Sequence, residues 1–327
     1  MSDSAILEVR DLAVRFAMPK KSFLAERTYL HAVRGISFSV KPGRTLGIVG
    51  ESGSGKTTSA MAAVNLVQAS GGEVIFEGDD ILRLDPEEMR QRRRHLQVIF
   101  QDPYSSLNPR ERVGAIVREP LDLMMPGLSR AEKEARVAEL FTLVGLRPDQ
   151  MALFPHQFSG GQRQRISIAR ALATHPRLIV CDEPVSALDV AIQAQILNLL
   201  RRLQAELGLS YLFISHDLGV VQYICDEIAV MYLGQIVEYA DRKTLFAAPR
   251  HPYTAALLEA APSLSRRKSG GYRRLAVARG DPPSPLNIPQ GCAFVTRCPH
   301  AQEKCRIESP ALRQDGGSKV ACHFPLA

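Results

Sequence analysis

The sequence predicts an α/β fold, with a mainly parallel β-sheet interrupted by a helical insertion. Short apolar runs such as "TLGIVG", "RLIVC" and "SYLFIS" are bounded by polar residues, which is typical of buried strands. These strands alternate with amphipathic helical segments, as in a parallel sheet with crossover helices. Between about residues 104 and 170 the pattern becomes helical throughout.

Length and composition bound the protein class. The chain has 327 residues, more than one core usually supports, so we expect two or three structural units. A composition of 45% hydrophobic and 23% charged residues is that of a soluble globular protein. The net charge of +7 permits contact with nucleic acid, acidic lipid or phosphate ligands and selects none of them.

Targeting signals are absent from the sequence pattern. The N-terminus lacks a basic region followed by an apolar one, and no apolar run approaches 18 residues. We therefore expect a cytoplasmic protein that serves a membrane only through partner chains. The basic run Arg90–His95 predicts a solvated helix face, with contact to anionic lipid as the alternative.

The first 45 residues are predicted to form a β-rich N-terminal region. Leu12, Val14 and Phe16 alternate along one face of a strand, and "GISFSV" predicts a second strand that ends before Pro42. A buried strand, a glycine-rich loop and a helix from about Lys56 follow.

Helix-capping signals set several later boundaries. Asp85 and Glu88 have the spacing of a capping box, as do Ser129 and Glu132. The amphipathic helix that follows "SALD" is expected to end at Gly208.

The glycine-rich loop "GIVGESGSGKTT" fits the pattern G-x-x-x-x-G-K-[ST] through Gly50, Gly55, Lys56 and Thr57. Glycines let backbone N–H groups curl around phosphate oxygens at a helix N-terminus. The lysine is expected to reach the β- and γ-phosphates, and the threonine hydroxyl to bind Mg²⁺. The alternative is a glycine-rich turn with a chance lysine, which the flanking strand and helix disfavour.

An acidic pair follows another buried strand. In "LIVCDEP", Asp182 and Glu183 come at the carboxyl end of the strand, where ligands bind in open α/β sheets. Asp182 is suited to hold Mg²⁺, and Glu183 to activate an attacking water. By itself such a pair is usually a solvated strand end; together with the phosphate loop it indicates a nucleotide hydrolase.

The motifs "GESGSGKTT", "FSGGQRQR", "CDEP", "SALD" and "ISHD" occur in the order and spacing of ABC-type ATPases, and the chain resembles that family over about residues 5–250. The resemblance implies a nucleotide-binding domain at 1–250 with a RecA-like P-loop core. It also implies an N-terminal antiparallel β subdomain and a helical signature subdomain at about 104–170. In this family two subunits pair head to tail, so that Ser159–Gln162 faces the γ-phosphate bound by the partner chain.

Other roles come from the resemblance alone. Gln101 matches the glutamine that reaches Mg²⁺ and the attacking water, and His216 matches the histidine that contacts the γ-phosphate. Asp189 matches the loop that crosses the dimer interface. Phe16 matches an aromatic that stacks on adenine, with a core phenylalanine as the alternative. The implied catalytic residues are Glu183, His216 and Gln101; the implied Mg²⁺ ligands are Thr57, Gln101 and Asp182; the implied nucleotide-binding residues are Phe16, Gly50, Ser52, Gly53, Gly55, Lys56, Thr57, Thr58, Gln101, Ser159, Gly160, Gly161, Gln162, Asp182 and Asp189.

Residues 251–327 contain four cysteines in the pattern C-x5-C-x6-C-x16-C, which is not a zinc-finger spacing. This pattern, "PRHPYTAALLEAAP" and "GDPPSPLNIPQGC" resemble the C-terminal extension of oligopeptide and dipeptide importer ATPases. The resemblance implies a [4Fe–4S] cluster on Cys292, Cys298, Cys305 and Cys322. Zinc and four free thiols are the alternatives.

The function expected from these resemblances is ATP hydrolysis, with ATP and Mg²⁺, that powers di- or oligopeptide import by a bacterial ABC transporter. The expected partners are a second, non-identical ATPase subunit, two transmembrane permease subunits and a peptide-binding protein, without nucleic acid. The chain is expected to lie peripherally on the cytoplasmic face of the plasma membrane. The alternatives are an importer ATPase for a nickel chelate or glutathione, a soluble ABC ATPase acting on nucleic acid or Fe–S assembly, and a regulatory subunit without turnover.

Overall fold

The computed structural model describes residues 5–19, 27–260 and 283–327. Contacts divide the chain into two compact units. As far as these ranges are described, unit 1 consists mainly of Val40–Thr45 and Arg83–Ile214, and unit 2 of Leu7–Ser39, Leu46–Leu82 and Ser215–Ala327. The proline-rich segments quoted above fall partly outside the described residues, and the predicted domain boundary at residue 250 stays a prediction.

The regular elements of the described residues are as follows. The strands are β1 (Leu7–Ala17), β2 (Tyr29–Val40), β3 (Thr45–Val49), β4 (Gly71–Phe76), β5 (Asp79–Asp80), β6 (Leu96–Ile99), β7 (Leu178–Asp182), β8 (Ser210–Ser215), β9 (Glu227–Tyr232), β10 (Gln235–Asp241), β11 (Arg313–Asp315) and β12 (Ser318–Val320). The α-helices are α1 (Lys56–Ala62), α2 (Pro86–Arg93), α3 (Val113–Met124), α4 (Arg130–Leu143), α5 (Gly160–Leu172), α6 (Val190–Leu207), α7 (Leu218–Ile224), α8 (Arg242–Ala247), α9 (Pro252–Ala260) and α10 (Glu303–Ile307), and 3₁₀ turns lie at Pro148–Ala152 and Pro155–Gln157.

Unit 1 contains three adjacent parallel strands. β6 pairs with β7, and β7 pairs with β8, so that Ile99, Cys181 and Phe213 lie side by side. Every residue of β7 and β8 is buried, as expected for strands with both faces covered. The stretch predicted to be helical contains α3, α4 and α5, which pack on one another.

Unit 2 contains a four-stranded sheet in the order β2-β1-β4-β5. Here β4 is antiparallel to both β1 and β5, which confirms an antiparallel β-region formed by the N-terminal part of the chain. Elsewhere in this unit β3 runs parallel to β9, and β9 is followed by the antiparallel strand β10. The β9–β10 hairpin extends the run "EIAVMYLG", which the sequence predicted as a strand alone.

The predicted helix caps are present. Asp85 and Ser129 each accept a backbone N–H of the following turn, and both capping boxes close through the glutamate at N3. Gly208 ends α6 as the sequence predicted, and it does so in the left-handed conformation. These boundaries depend on contacts between close sequence neighbours, which explains why the sequence sufficed.

The described part of the tail, residues 251–260 and 283–327, contains regular elements as well as loops. Its strands β11 and β12 form a hairpin, and β12 pairs antiparallel with β10. Val320 is fully buried there. At the start of the tail the buried Glu238 carboxylate accepts the backbone N–H groups of Arg250 and His251 at 2.8 and 2.9 Å. Sheet pairing and buried polar contacts therefore join the described part of the tail to the rest of unit 2.

None of the helices within the described ranges is long and apolar enough to cross a bilayer.

Candidate nucleotide-binding site

The phosphate loop lies in unit 2, between the buried strand β3 and helix α1. Gly50, Gly53 and Gly55 have φ angles of 155°, 75° and 99°. A Cβ atom on Gly50 would collide with the carbonyl of Met231, and one on Gly55 with the carbonyl of Ala32. Glycine is required at both positions because the loop backbone passes directly against neighbouring chain.

Lys56 begins α1 and is buried. Its Nζ donates to the carbonyl oxygens of Gly50 and Glu51, each at 2.9 Å. The ammonium group is therefore held against the backbone of its own loop. Ser52, Gly53 and Thr57 are exposed, and Thr58 is half-buried, so the loop presents polar groups to solvent.

An acidic site lies in unit 1 at the carboxyl ends of β6 and β7. Gln101 and Glu183 each follow the paired residues Ile99 and Cys181 by two positions, which brings their side chains together. Gln101 Nε2 donates to Glu183 Oε2 at 3.1 Å. Asp182, the last residue of β7, is only 4% exposed.

Glu183 has a strained backbone. Its φ angle is 44°, in the left-handed region that residues other than glycine and asparagine seldom occupy. Its backbone N–H donates to the carbonyl of Ile214 at 3.0 Å, which holds this conformation. Such strain occurs at functional sites, but Asp11, Asn65, Glu77, His175 and Leu233 also have positive φ angles, so the backbone agrees with a role for Glu183 and does not single it out.

The signature loop Ser159–Gln162 begins helix α5 in unit 1. Ser159 Oγ accepts the N–H of Gln162 at 3.4 Å, and Gln162 Oε1 accepts the N–H of Ser159 at 3.0 Å, forming a capping box. A Cβ atom on Gly161 would lie 2.5 Å from Ile192 Cγ2, whereas one on Gly160 would lie 3.4 Å from Leu188 Cδ2. Gly161 thus also serves helix packing, which the sequence did not predict.

The segment after Gln101 is tied to the same helix by arginines. The Arg163 guanidinium lies 4.0 Å from the centre of the Tyr104 ring, and Arg170 Nη1 donates to the carbonyl of Ser106 at 2.6 Å. Arg163 Nε also donates to the carbonyl of Pro155 at 2.8 Å. The sequence does not predict the contacts to Tyr104 and Ser106, because these residues lie some 60 positions before the arginines that they meet.

The remaining predicted site residues lie as follows. Asp189 caps α6, its Oδ1 accepting the N–H of Ile192 at 2.9 Å. His216 is exposed at the turn between β8 and α7 in unit 2. Phe16 is 42% exposed near the end of β1, so the alternative of a core phenylalanine is wrong.

The four tail cysteines line one narrow cavity together with His300 and His323. Cys305 and Cys322 are buried, Cys292 and Cys298 are half-buried, and none of the four forms a disulfide with another described residue. Burial raises the pKa of Cys322 to about 11 and also raises the pKa values of Cys292 and Cys298. Across the residues that the structure describes, no cluster of three or more His, Cys, Asp or Glu side chains is arranged to hold a metal ion.

Comparisons with known proteins identify the family. A model described as "ABC transporter" matches residues 33–186, and one described as the C-terminal region of oligopeptide/dipeptide transporters matches residues 237–305. The oligopeptide transport ATP-binding protein AppF of Bacillus subtilis (strain 168) is 46% identical over 99% of this chain and 98% of its own length. The chain belongs to the ABC transporter family.

Other similar proteins support the same family assignment for this ABC ATPase. The dipeptide transport ATP-binding protein DppF of Escherichia coli (strain K12) is 46% identical over 97% of the chain and 93% of its own length. Among solved structures, the dimeric post-hydrolysis ATP-binding cassette MJ0796 bound to ADP and Pi superposes with a TM-score of 0.64, at 28% identity, over 72% of this chain and 98% of its own.

Family membership fixes the fold and the reaction. The ABC ATPase has the RecA-like P-loop core with an antiparallel β-region and a helical region, as predicted. It binds ATP with Mg²⁺ and hydrolyses ATP.

Proposed function

We propose that the chain is the ATP-hydrolysing subunit that powers import of di- or oligopeptides by a bacterial ABC transporter. The supporting observation is the 46% identity over almost the full length of an oligopeptide transport ATP-binding protein. The match of residues 237–305 to the oligopeptide/dipeptide transporter C-terminal region supports the same substrate class.

In the proposed reaction, ATP binds with its phosphates on the phosphate loop. Lys56 leaves the carbonyls of Gly50 and Glu51 and moves to the β- and γ-phosphates, and adenine stacks on the exposed ring of Phe16. Thr57, Asp182 and Gln101 are the groups that would hold Mg²⁺, which neutralises phosphate charge. Hydroxyl, carboxylate and amide oxygens suit this hard cation.

Glu183 is the proposed general base. Its carboxylate takes a proton from the water that attacks the γ-phosphorus, while the bond to the bridging oxygen of ADP breaks. The 3.1 Å hydrogen bond from Gln101 orients this carboxylate before substrate arrives. His216 is proposed to hydrogen-bond the γ-phosphate.

The opposing half of each nucleotide site is proposed to come from the partner chain. In this arrangement the Ser159 hydroxyl and the backbone N–H groups of Gly160 and Gly161 face the γ-phosphate bound by the other subunit, Gln162 supports the loop, and Asp189 lies at the interface. Hydrolysis releases the γ-phosphate that both chains contact, so the subunits separate.

The proposed partners are two transmembrane permease subunits, a peptide-binding protein and a second ATPase subunit that is a non-identical relative. The chain would then lie peripherally at the cytoplasmic face of the plasma membrane.

We propose further that the four tail cysteines hold a [4Fe–4S] cluster. Four thiols on one cavity match Cys₄ ligation, although they must lose their protons and move together to bind it. Anaerobically purified protein is expected to contain iron and acid-labile sulfide and to show a visible absorption that bleaches with dithionite. Cys322→Ser should abolish that absorption; zinc without iron would refute the cluster.

Reconstitution of the transporter tests the main proposal. The full complex in liposomes, assembled with the proposed permease subunits and peptide-binding protein, is expected to hydrolyse ATP faster when di- or oligopeptide is added. Glu183→Gln should lower turnover by about 10²–10⁴-fold and leave ATP affinity nearly unchanged. Stimulation by a nickel chelate or glutathione, and not by peptides, would overturn the substrate assignment.

A further inference from the structure

An arginine of the tail forms an ion pair with the phosphate loop. Arg297 Nη1 and Nη2 donate to Glu51 Oε2 and Oε1 at 2.8 and 3.0 Å, a bidentate pair between residues 246 positions apart. The side chain of Arg297 is 8% exposed, and that of Glu51 is 30% exposed. Bidentate, charge-assisted pairs of this kind fix geometry better than single contacts.

Glu51 is part of the phosphate loop itself. It follows Gly50 directly, and its carbonyl is one of the two that hold Lys56 Nζ. Its backbone N–H donates to the hydroxyl of Tyr253 at 2.9 Å. Two of its groups are thus held from outside the loop, the carboxylate by Arg297 and the N–H by Tyr253, and both partners belong to the tail.

Arg297 is itself held firmly. Its backbone N–H donates to the carbonyl of Phe294 at 3.0 Å, closing a turn. The ring of Phe294 meets Tyr232 edge-on at 5.3 Å, and Tyr232 packs on Tyr253 at 4.6 Å. The Tyr232 hydroxyl lies 3.5 Å from Arg297 Nη1. This aromatic cluster fixes the position of the Arg297 guanidinium and therefore that of the Glu51 carboxylate.

The position of a carboxylate in this loop has an electrostatic consequence. An unpaired negative charge beside a triphosphate repels it, because little water separates the two. Paired with Arg297, the carboxylate no longer opposes the ligand. A second ion pair, between Arg250 and Asp315 at 3.0 Å, involves no phosphate-loop residue and offers a control for the effect of breaking an ion pair of the tail.

We propose that Arg297 is a positioning residue for nucleotide binding, which acts by neutralising Glu51 and fixing the phosphate loop from the tail. The proposal deepens the proposed function and rests on ATP binding at that loop. It predicts that nucleotide affinity depends on a residue of the tail outside the phosphate-loop motif.

Isothermal titration of the full-length chain with ADP, and with ATP and Mg²⁺, tests the proposal. Arg297→Gln is expected to raise Kd about tenfold, which corresponds to about 1.4 kcal/mol. In the reconstituted transporter KM for ATP should rise by a similar factor, with kcat within about twofold of wild type. The defect should shrink as salt is added, because salt screens the unpaired carboxylate.

A double variant separates positioning from simple stabilisation. Arg297→Gln with Glu51→Gln removes the uncompensated charge and should restore Kd to within about threefold of wild type. Asp315→Asn breaks the control ion pair and should leave Kd unchanged, whatever it does to the melting temperature. If Arg297→Gln does not fold, Arg297→Lys is measured in its place, with a smaller rise in Kd expected.

Unchanged Kd in Arg297→Gln, or an equal rise in the double variant, would overturn the proposal. Lys56→Ala keeps this outcome apart from a failure of the proposed function. If wild type and Lys56→Ala bound nucleotide equally, the phosphate loop would not be the binding site, and the premise itself would fail.

Discussion

The two glycines of the signature loop make a matched pair for separating packing from catalysis. A Cβ atom on Gly161 would lie 2.5 Å from Ile192 Cγ2, about 1 Å inside ordinary van der Waals contact. A Cβ atom on Gly160 would meet its nearest neighbour at 3.4 Å, an ordinary contact. Gly161→Ala should therefore overpack the junction of α5 and α6, and Gly160→Ala should not.

The magnitude follows from two opposing effects. Alanine favours a helix over glycine by roughly 0.5–1 kcal/mol, and this gain applies to both substitutions. Overpacking costs about 1–3 kcal/mol and applies to Gly161→Ala alone. Ile192 cannot easily rotate away, because a β-branched side chain within a helix has one strongly preferred rotamer. The two variants should thus differ in unfolding free energy by about 1–3 kcal/mol.

Urea unfolding measures this difference, provided that the unfolding free energies of the two variants depend equally steeply on urea concentration. Adding Ile192→Ala to Gly161→Ala should recover part of the loss, because it removes the colliding methyl group. Both glycine variants should still lower ATP turnover in the assembled transporter, since both glycines are proposed to approach the γ-phosphate. Equal stability of the two variants would refute the packing reasoning, and full turnover in both would refute the proposed contact with nucleotide.

Further predictions concern the acidic site, its neighbouring loop and the buried histidine of the tail. Gln101→Ala should lower ATP turnover about tenfold by freeing the Glu183 carboxylate and removing a proposed Mg²⁺ ligand. Its effect should be smaller in a Glu183→Gln background, where only the proposed Mg²⁺ contact is lost, and steady-state kinetics of single and double variants showing an equal effect in both backgrounds would contradict the orienting hydrogen bond. Tyr104→Phe keeps the ring under Arg163 and serves as the control for Tyr104→Ala, which should cost about 0.5–1 kcal/mol in urea unfolding; equal loss in both would contradict a cation–π contribution. Burial lowers the pKa of His251 to about 3, so the unfolded chain binds the extra proton first, and stability should fall as pH decreases from about 6.5 toward 3, by up to about 5 kcal/mol. The melting temperature of His251→Asn should therefore fall less than that of the wild type as pH decreases. An equal fall in both proteins would contradict the assignment of this pH dependence to His251.

Local signals in the sequence predicted much of the fold. The caps at Asp85 and Ser129 and the end of α6 at Gly208 were predicted correctly because each involves residues within one or two helical turns. The buried strand β7 and the phosphate loop also have strong local patterns.

Interactions between distant segments were not predictable in the same way. The strands β11 and β12 have only three residues each and are partly charged, so their formation depends on pairing with β10. Likewise, nothing close to Glu51 in sequence indicates Arg297. The proximity of Gln101 and Glu183 follows from strand register, which the sequence pattern does not specify.

The left-handed backbone of Glu183 has a consequence for engineering this enzyme. A residue with a side chain gives up about 1 kcal/mol or more in that conformation, and glycine does not. Glu183→Gly would therefore raise the melting temperature while removing the proposed proton acceptor. A library selected only for heat resistance would enrich for transporters that no longer consume ATP, and selection must include turnover to avoid this outcome.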